Sequence, residues 1–410
     1  MGRSAGFWIG DFGLCDYYGE IPCSKIKNLE SKIMNRILIL MSNTGGGHRA
    51  SAEALKAGFA ERYGDRYTVA IIDLLIDYLP WPLNRLPPLY PWIANRTPWL
   101  WGILFDSGNF PQAVRAIVNG LARYAAPQVS QVFAQFSPDL IVSVHPLVHE
   151  LTLKGLARLG RKTPLATVIT DLASVHPLWF HPAVQLCFVA SEEAYQYGLQ
   201  LHMTPAQLRL TGLPIRPAFA QRPKPRAILR HELGLHPDLP AALLMGGGDG
   251  IGPVGAIAEA VAHRLGGDGK AAGQVVVICG RNQRLQEQLA ERQWPVPLLA
   301  QGFVHNMPEW MAACDCIITK AGPGTIAEAL ACGLPIMLSG FIPGQEEGNV
   351  PFVVNNGVGA FSKDPQVIAA TVARWFGPDA AERQQLAERA RALSHPQATF
   401  AIVETLAGLL

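Results

Sequence analysis

The chain has almost no excess of charge: 34 Lys and Arg stand against 32 Asp and Glu in 410 residues, a formal net charge of +2. A protein that works by neutralising the phosphates of nucleic acid carries a basic surplus, so this balance excludes that class. Long apolar runs are missing as well. Nowhere do about 18 apolar residues follow one another, so no segment is expected to span a bilayer as a helix. Cysteine is sparse and odd in number, seven in all. No secretory leader or repeated spacing accompanies the cysteines, which argues against a disulfide framework and for a reducing cytoplasm. Cys314 and Cys316 lie two apart in an apolar run, where a strand buries both thiols on one face.

What is present is apolar and periodic. With 49% hydrophobic residues the chain can bury two cores and is too long for one ordinary domain. Residues 1–33 show no periodicity, and the run from Met34 to Leu40 reads as the start of a first strand, so 1–33 is set aside as a disordered or mis-started extension. After it, short β-branched or Leu-rich runs alternate with segments of helical period, the pattern of parallel sheets with crossover helices. Strands are predicted at Arg36–Met41, Thr68–Asp73, Asp139–Val144, Leu165–Thr170, Gln185–Ala190 and Leu208–Gly212. A second set follows at Ala241–Met245, Gln274–Cys279, Leu298–Phe303, Cys314–Thr319 and Leu334–Leu338. Between the sets, Pro214–Pro217 and Gln221–Pro225 are Pro-rich and polar, as a linker should be. The expected fold is therefore α/β: two Rossmann-like domains, 34–215 and 216–410, facing across a cleft where ligands bind. Two helices, Ala380–Leu393 and Gln397–Leu410, close the chain, and the last is a candidate to pack back on the first domain.

Three strand-to-helix junctions carry glycine-rich turns. The first strand runs into Ser42-Asn43-Thr44-Gly45-Gly46-Gly47-His48. Glycines there let backbone N–H groups at a helix N-terminus approach developing negative charge, and His48 becomes a candidate base or ligand contact. The turn is neither G-x-G-x-x-G nor a Walker loop, whose Lys-Ser/Thr ending is missing. In the second half Met245–Pro253, with Gly247 and Gly248, repeats the design. The third junction is Thr319–Leu330. In it Gly324 and Thr325 are placed to donate toward phosphate, and Glu328, one turn into the helix, to accept from a pair of ribose hydroxyls. The loop Pro343–Asn349 offers amide and carboxylate groups suited to sugar hydroxyls. His145 and His149 have i, i+4 spacing, but Pro146 interrupts the helix and no H-E-x-x-H pattern forms, so metal binding is not expected there.

Taken together these segments resemble the monogalactosyldiacylglycerol synthases and related processive diacylglycerol glucosyltransferases of glycosyltransferase family 28. The likeness runs from Met34 to about Gly359 and rests on separate motifs: Ser42–His48, Ser143–Leu147, Thr167–Asp171, Trp179–Pro182, Gly212–Pro217, Gly246–Pro253, Lys320–Leu330 and Ile342–Val350. Glu347 departs from the small or apolar residue expected at its place. The resemblance implies a GT-B fold and an inverting transfer from UDP-galactose or UDP-glucose to the 3-hydroxyl of 1,2-diacylglycerol. It implies no metal or other cofactor, and no isolated Asp-x-Asp pair occurs in the sequence. It further implies that Phe303 and Val304 take the uracil, Glu328 the ribose, and the glycine turns with Gly247, Gly248, Gly322, Gly324 and Thr325 the diphosphate. Gln345, Glu346 and Asn349 would hold the sugar, and His48 would be the general base. Base catalysis suits an imidazole, and departing UDP gains charge that turn N–H groups and Lys320 can stabilise. Asp171 is expected to orient His48.

The acceptor side is expected to meet a membrane. Leu79–Phe110 packs Trp81, Tyr90, Trp92, Trp99, Trp101, Phe105 and Phe110 among prolines, with Arg85 and Arg96 able to pair with anionic lipid phosphates. Prolines forbid a continuous helix, so the segment would lie on the cytoplasmic face of a membrane. Gly46, Gly47, Trp92, Trp99, Trp101 and Trp179 are the acceptor or membrane candidates, with His176 and His181 shaping the same side. Three other readings stand beside this one: a transferase adding N-acetylglucosamine to a polyprenyl-linked peptidoglycan precursor, a UDP-sugar 2-epimerase, and a nonenzymatic UDP-sugar sensor.

Overall fold

A computed structural model of the chain describes residues 34–43, 46–85, 111–247, 252–267, 269–377 and 381–410. Gly248, Trp92, Trp99 and Trp101, and all of the 79–110 segment beyond Arg85, lie outside the described residues.

Twelve strands form two parallel six-stranded sheets among the described residues. The first holds β1 (Asn35–Met41), β2 (Tyr67–Asp73), β3 (Leu140–Ser143), β4 (Leu165–Val168), β5 (Leu186–Val189) and β6 (Leu208–Leu210), in the order β2-β1-β3-β4-β5-β6. The second holds β7 (Ala241–Met245), β8 (Gln274–Ile278), β9 (Leu298–Gln301), β10 (Cys316–Lys320), β11 (Ile336–Gly340) and β12 (Gly359–Phe361), in the order β12-β11-β10-β7-β8-β9. Central strands are buried on both faces, which is why they read as unbroken apolar runs and not as alternation. The fold class is the one expected, with one strand added, β12, which no apolar run announces.

The helices of the first half are α1 (Gly46–Tyr63), α2 (Leu74–Asp77), α3 (Pro111–Phe136), α4 (His149–Leu159) and α5 (Glu192–Gln200). Those of the second are α6 (Arg226–Glu232), α7 (Val254–Leu265), α8 (Gln283–Ala290), α9 (Met307–Ala313), α10 (Pro323–Cys332), α11 (Asn349–Asn355), α12 (Pro365–Phe376), α13 (Ala381–Leu393) and α14 (Ala398–Ala407). Side-chain caps fix several starts: Ser191 accepts from Ala194 N–H on α5, Asn282 from Leu285 on α8 and Asp364 from Gln366 on α12. The cores are sandwiched between each sheet and its helices. Ile37, Ile39, Leu55 and Phe59 of the first half share one core with Ile402, Val403 and Leu406 of α14, so the end of the chain returns to the first sheet. Among the described residues no helix is long and apolar enough to cross a membrane.

Strand order fixes where a ligand can sit. In the first sheet the chain leaves β1 for β2 on one side and then crosses over to β3 on the other, so a crevice opens at the carboxyl end of β1. In the second sheet β7 lies between β10 and β8, and the turns after β7 and β10 are therefore neighbours at the same kind of switch point.

Candidate active site

His48 lies in the first turn of α1, directly after Gly46 and Gly47, which begin the helix. It is 9% exposed, and its Nδ1 is 2.9 Å from the Oγ1 of Thr170, which follows β4. Its ring centroid is 4.7 Å from that of His145 and 6.0 Å from that of Trp179. Burial lowers its pKa to about 4, against the upward pull of a Val144 backbone hydrogen bond and the Asp73 carboxylate. The imidazole is therefore neutral near pH 7 and able to take a proton. Asp73 also accepts from Asn43 N–H at 2.7 Å and Ile76 N–H at 2.9 Å, which ties the residues just after β1 to the start of α2. Gly46 and Gly47 are exposed, and the space where a Cβ would project from either is open.

Asp171 lies elsewhere than expected. The side chain bonded to His48 is its neighbour Thr170, while Asp171 Oδ2 accepts from Trp179 Nε1 at 2.6 Å. The Asp171 carboxyl also bonds the His176 backbone and Gln345, the latter from the second half of the chain. Burial raises its pKa to about 7, hydrogen bonds from Trp179, His176 and Gln345 oppose the rise, and Glu346 adds to it. Trp179 is wholly buried, which removes it from any membrane-facing surface. Its indole needs a hydrogen-bond acceptor inside the core, and Asp171 supplies it. His181 bonds Glu150 at 3.2 Å, and His149 bonds Thr167 at 2.7 Å. Trp81 is 74% exposed.

The second half brings its three loops to one place. Gly247 takes a left-handed backbone, φ 75°, that favours glycine. Lys320, at the end of β10, forms an ion pair with Glu346. Glu346 is 4% exposed and accepts also from Ile342 N–H at 2.9 Å. Gly322 caps α10, whose first turn holds Gly324 and Thr325 with their N–H groups unclaimed by the helix. Glu328, one turn further, accepts from Arg216 at 3.0 and 3.3 Å through the same oxygen, Oε1. Burial raises the Glu328 pKa and Arg216 holds it back. Phe303, after β9, is 53% exposed and packs edge-on to His305 at 5.1 Å, while Val304 is half-buried against the core.

Asn349 departs from its expected place among sugar contacts. It is 1% exposed and spends both ends of its amide on backbone: Nδ2 donates to Ala321 O at 2.9 Å, and Oδ1 accepts from Ala173 N–H at 3.1 Å. A buried amide with four hydrogen-bonding sites has to be matched in this way, and here it stitches the two halves together. Gly348 N–H donates to Ser174 Oγ at 2.6 Å alongside it. With Asp171 to Gln345, three cross-connections join residues 171–174 to residues 345–349. Thr170 and His145, which the sequence does not single out beside His48, lie in the segments Thr167–Asp171 and Ser143–Leu147. The strand spacing that would have put them beside His48 is visible only once β1, β3 and β4 are known to be adjacent.

Residues 48–215 match the Monogalactosyldiacylglycerol (MGDG) synthase family, and residues 243–399 match the Glycosyltransferase family 28 C-terminal domain. Over 386 residues the chain is 45% identical to Monogalactosyldiacylglycerol synthase 1, chloroplastic, of Arabidopsis thaliana, spanning 93% of this chain and 72% of that protein. It is 44% identical over 386 residues to the synthase of Spinacia oleracea, with 93% and 74% covered. Among solved structures, MurG of Acinetobacter baumannii superposes with a TM-score of 0.56 at 16% identity, covering 91% of this chain and 99% of that one. The S. aureus MnaA-UDP structure gives 0.57 at 15% identity, covering 92% and 98%. These two show the same fold.

Proposed function

The chain belongs to the monogalactosyldiacylglycerol synthase family, and from this we propose that it transfers galactose from UDP-galactose to the 3-hydroxyl of 1,2-diacylglycerol with inversion at the anomeric carbon. The observation that carries the reading is a neutral, buried His48 joined to the donor loops of the other half through Trp179, Asp171 and Gln345. Inversion needs one base, which takes the acceptor proton as the hydroxyl attacks opposite the leaving diphosphate. His48 fills that role, and Thr170 holds its ring through Nδ1. Phe303 and Val304 line the place of the uracil, and Glu328 takes the ribose through the oxygen that Arg216 leaves open. Gly247, Gly248, Gly322, Gly324 and Thr325 cradle the diphosphate, with the α10 N-terminus and Lys320 offsetting its developing charge. Gln345 and Glu346 read the hexose. No catalytic metal enters this scheme.

The acceptor reaches the site from a membrane on which the protein sits peripherally, with Trp92, Trp99 and Trp101 as its contacts and Arg85 and Arg96 drawn to anionic lipid. The assay is direct. The protein is incubated with diacylglycerol vesicles and UDP-galactose, UDP-glucose or UDP-N-acetylglucosamine, and UDP release and the lipid product are measured. A monogalactosyl lipid formed with UDP-galactose is expected. Donor binding without any lipid glycosylation would turn the reading toward a sensor, and epimerised UDP-sugar without lipid product toward an epimerase.

A further inference from the structure

The Lys320 side chain runs across the meeting point of three loops. A Cβ at Gly247 would stand 3.7 Å from its Cε, and one at Gly322 would stand 3.4 Å from its Nζ. The end of the side chain therefore lies against both glycine turns, its Cε beside Gly247 and its ammonium beside Gly322. It ends on Glu346 of the third loop. The two partners are not held equally. Glu346 is fixed by its own loop through the Ile342 N–H, and its side chain is 5% exposed. Lys320 is 37% exposed on a flexible four-carbon stem. When the pair separates, the lysine is the partner that moves. A buried carboxylate that loses its cation is strongly disfavoured unless other donors replace it, and the hydroxyls of a hexose are such donors.

We propose that Lys320 is a diphosphate-binding residue held on Glu346 in the empty enzyme, and that it changes partners when the donor enters, leaving Glu346 to accept from the hexose hydroxyls. The proposal rests on the donor-site reading given above. It links recognition of the two parts of the donor: the diphosphate draws off the ammonium, and only then is the Glu346 carboxylate open to the sugar. UDP alone draws Lys320 away but brings no hydroxyl to replace it. Glu346 is then left without its cation near Asp171, the carboxyl of the other half whose pKa it already raises. UDP is thus held less firmly than its contacts alone would allow, which favours its release after transfer.

Calorimetric titration with UDP of the wild type, Glu346→Gln, Lys320→Met and the double variant tests this. Glu346→Gln is expected to bind UDP about two- to fivefold more tightly, the range that breaking a half-exposed ion pair costs. Lys320→Met is expected to bind UDP more weakly, and the gain from Glu346→Gln is expected to vanish in its background. An unchanged or weaker UDP affinity in Glu346→Gln overturns the exchange. So does an equal gain in the Lys320→Met background, which would reduce the effect to removal of a nearby negative charge. A crystal structure of the wild type with UDP reads the same point without any variant: Nζ on a diphosphate oxygen supports the exchange, and an intact Lys320–Glu346 pair refutes it. A wild type that binds no UDP sinks the donor-site reading as well.

Discussion

At the scale of single residues the proposed mechanism depends on one neutral imidazole. His48 is kept uncharged by burial, with its pKa at about 4 and not near 6.5. Replacing it with Ala is expected to lower transfer by about 10² to 10⁴ while UDP affinity stays within a few-fold, because the base goes and the donor loops remain. Rates and UDP calorimetry on the same preparation check this, and near wild-type turnover in a folded His48→Ala protein refutes the base. The pH–rate profile should also lack an acid limb near 6.5. Stability has the opposite sensitivity. The folded pKa lies below the unfolded one, so the unfolded chain binds more protons between them. The contribution is complete above pH 6.5 and is lost as pH falls from there toward about 4. His149, also lowered to about 4, acts in the same direction, so acid is expected to unfold the site before it protonates the base. The position of His48 at a strand-to-helix junction was legible from its place beside three glycines. Its partner was not, because Thr170 and Asp171 are adjacent in sequence and only the path of the chain after β4 decides which of them turns toward α1.

At the scale of elements, strands buried on both faces announce themselves as continuous apolar runs, and β1, β3, β7 and β8 were legible for that reason. The strand β12 was not. It is three half-buried residues at a sheet edge, Gly359-Ala360-Phe361, too short for any period to show. What places it is steric: a Cβ at Gly359 would lie 1.9 Å from the Ile336 carbonyl oxygen, so only glycine lets β12 lie against β11. The helix α10 shows the reverse case. Its glycine-rich start and the acid one turn in were plain in the sequence, but the ion pair from Glu328 to Arg216, across the linker, was not. Glu328→Ala is expected to weaken UDP and UDP-galactose together by roughly 1.5–3 kcal/mol, the loss of a charge-assisted hydrogen bond to a group both ligands share. Calorimetry with each ligand decides, and unchanged UDP affinity takes Glu328 out of the site.

At the scale of the whole molecule, the two sheets are tied together at three places. Residues 345–349 dock on residues 171–174 across the cleft, and the segment after β6 carries the chain from one sheet to the other. The third tie is α14, which leaves the second half and packs on α1. The contact is close because position 58 has no side chain: a Cβ there would stand 2.7 Å from Thr399 Cγ2 and 3.3 Å from Val403 Cγ1. Thr399 donates to Ile215 O, and Arg62 pairs with Glu404 beside it, so polar contacts flank the apolar seat. A bulky residue at position 58 has no room to relax, since Ile402, Val403 and Leu406 are fully buried against Ile37, Leu55 and Phe59. Gly58→Leu is therefore expected to unseat α14 and cost about 1–3 kcal/mol or more in urea denaturation. The proposed donor turns all belong to the second half of the chain, so UDP affinity should survive within a few-fold. Transfer should fall further than binding, because it needs His48, on the same helix as Gly58, held at its place against the donor loops. A Gly58→Leu protein with wild-type denaturation and wild-type transfer would mean that α14 contributes nothing to how the halves are held.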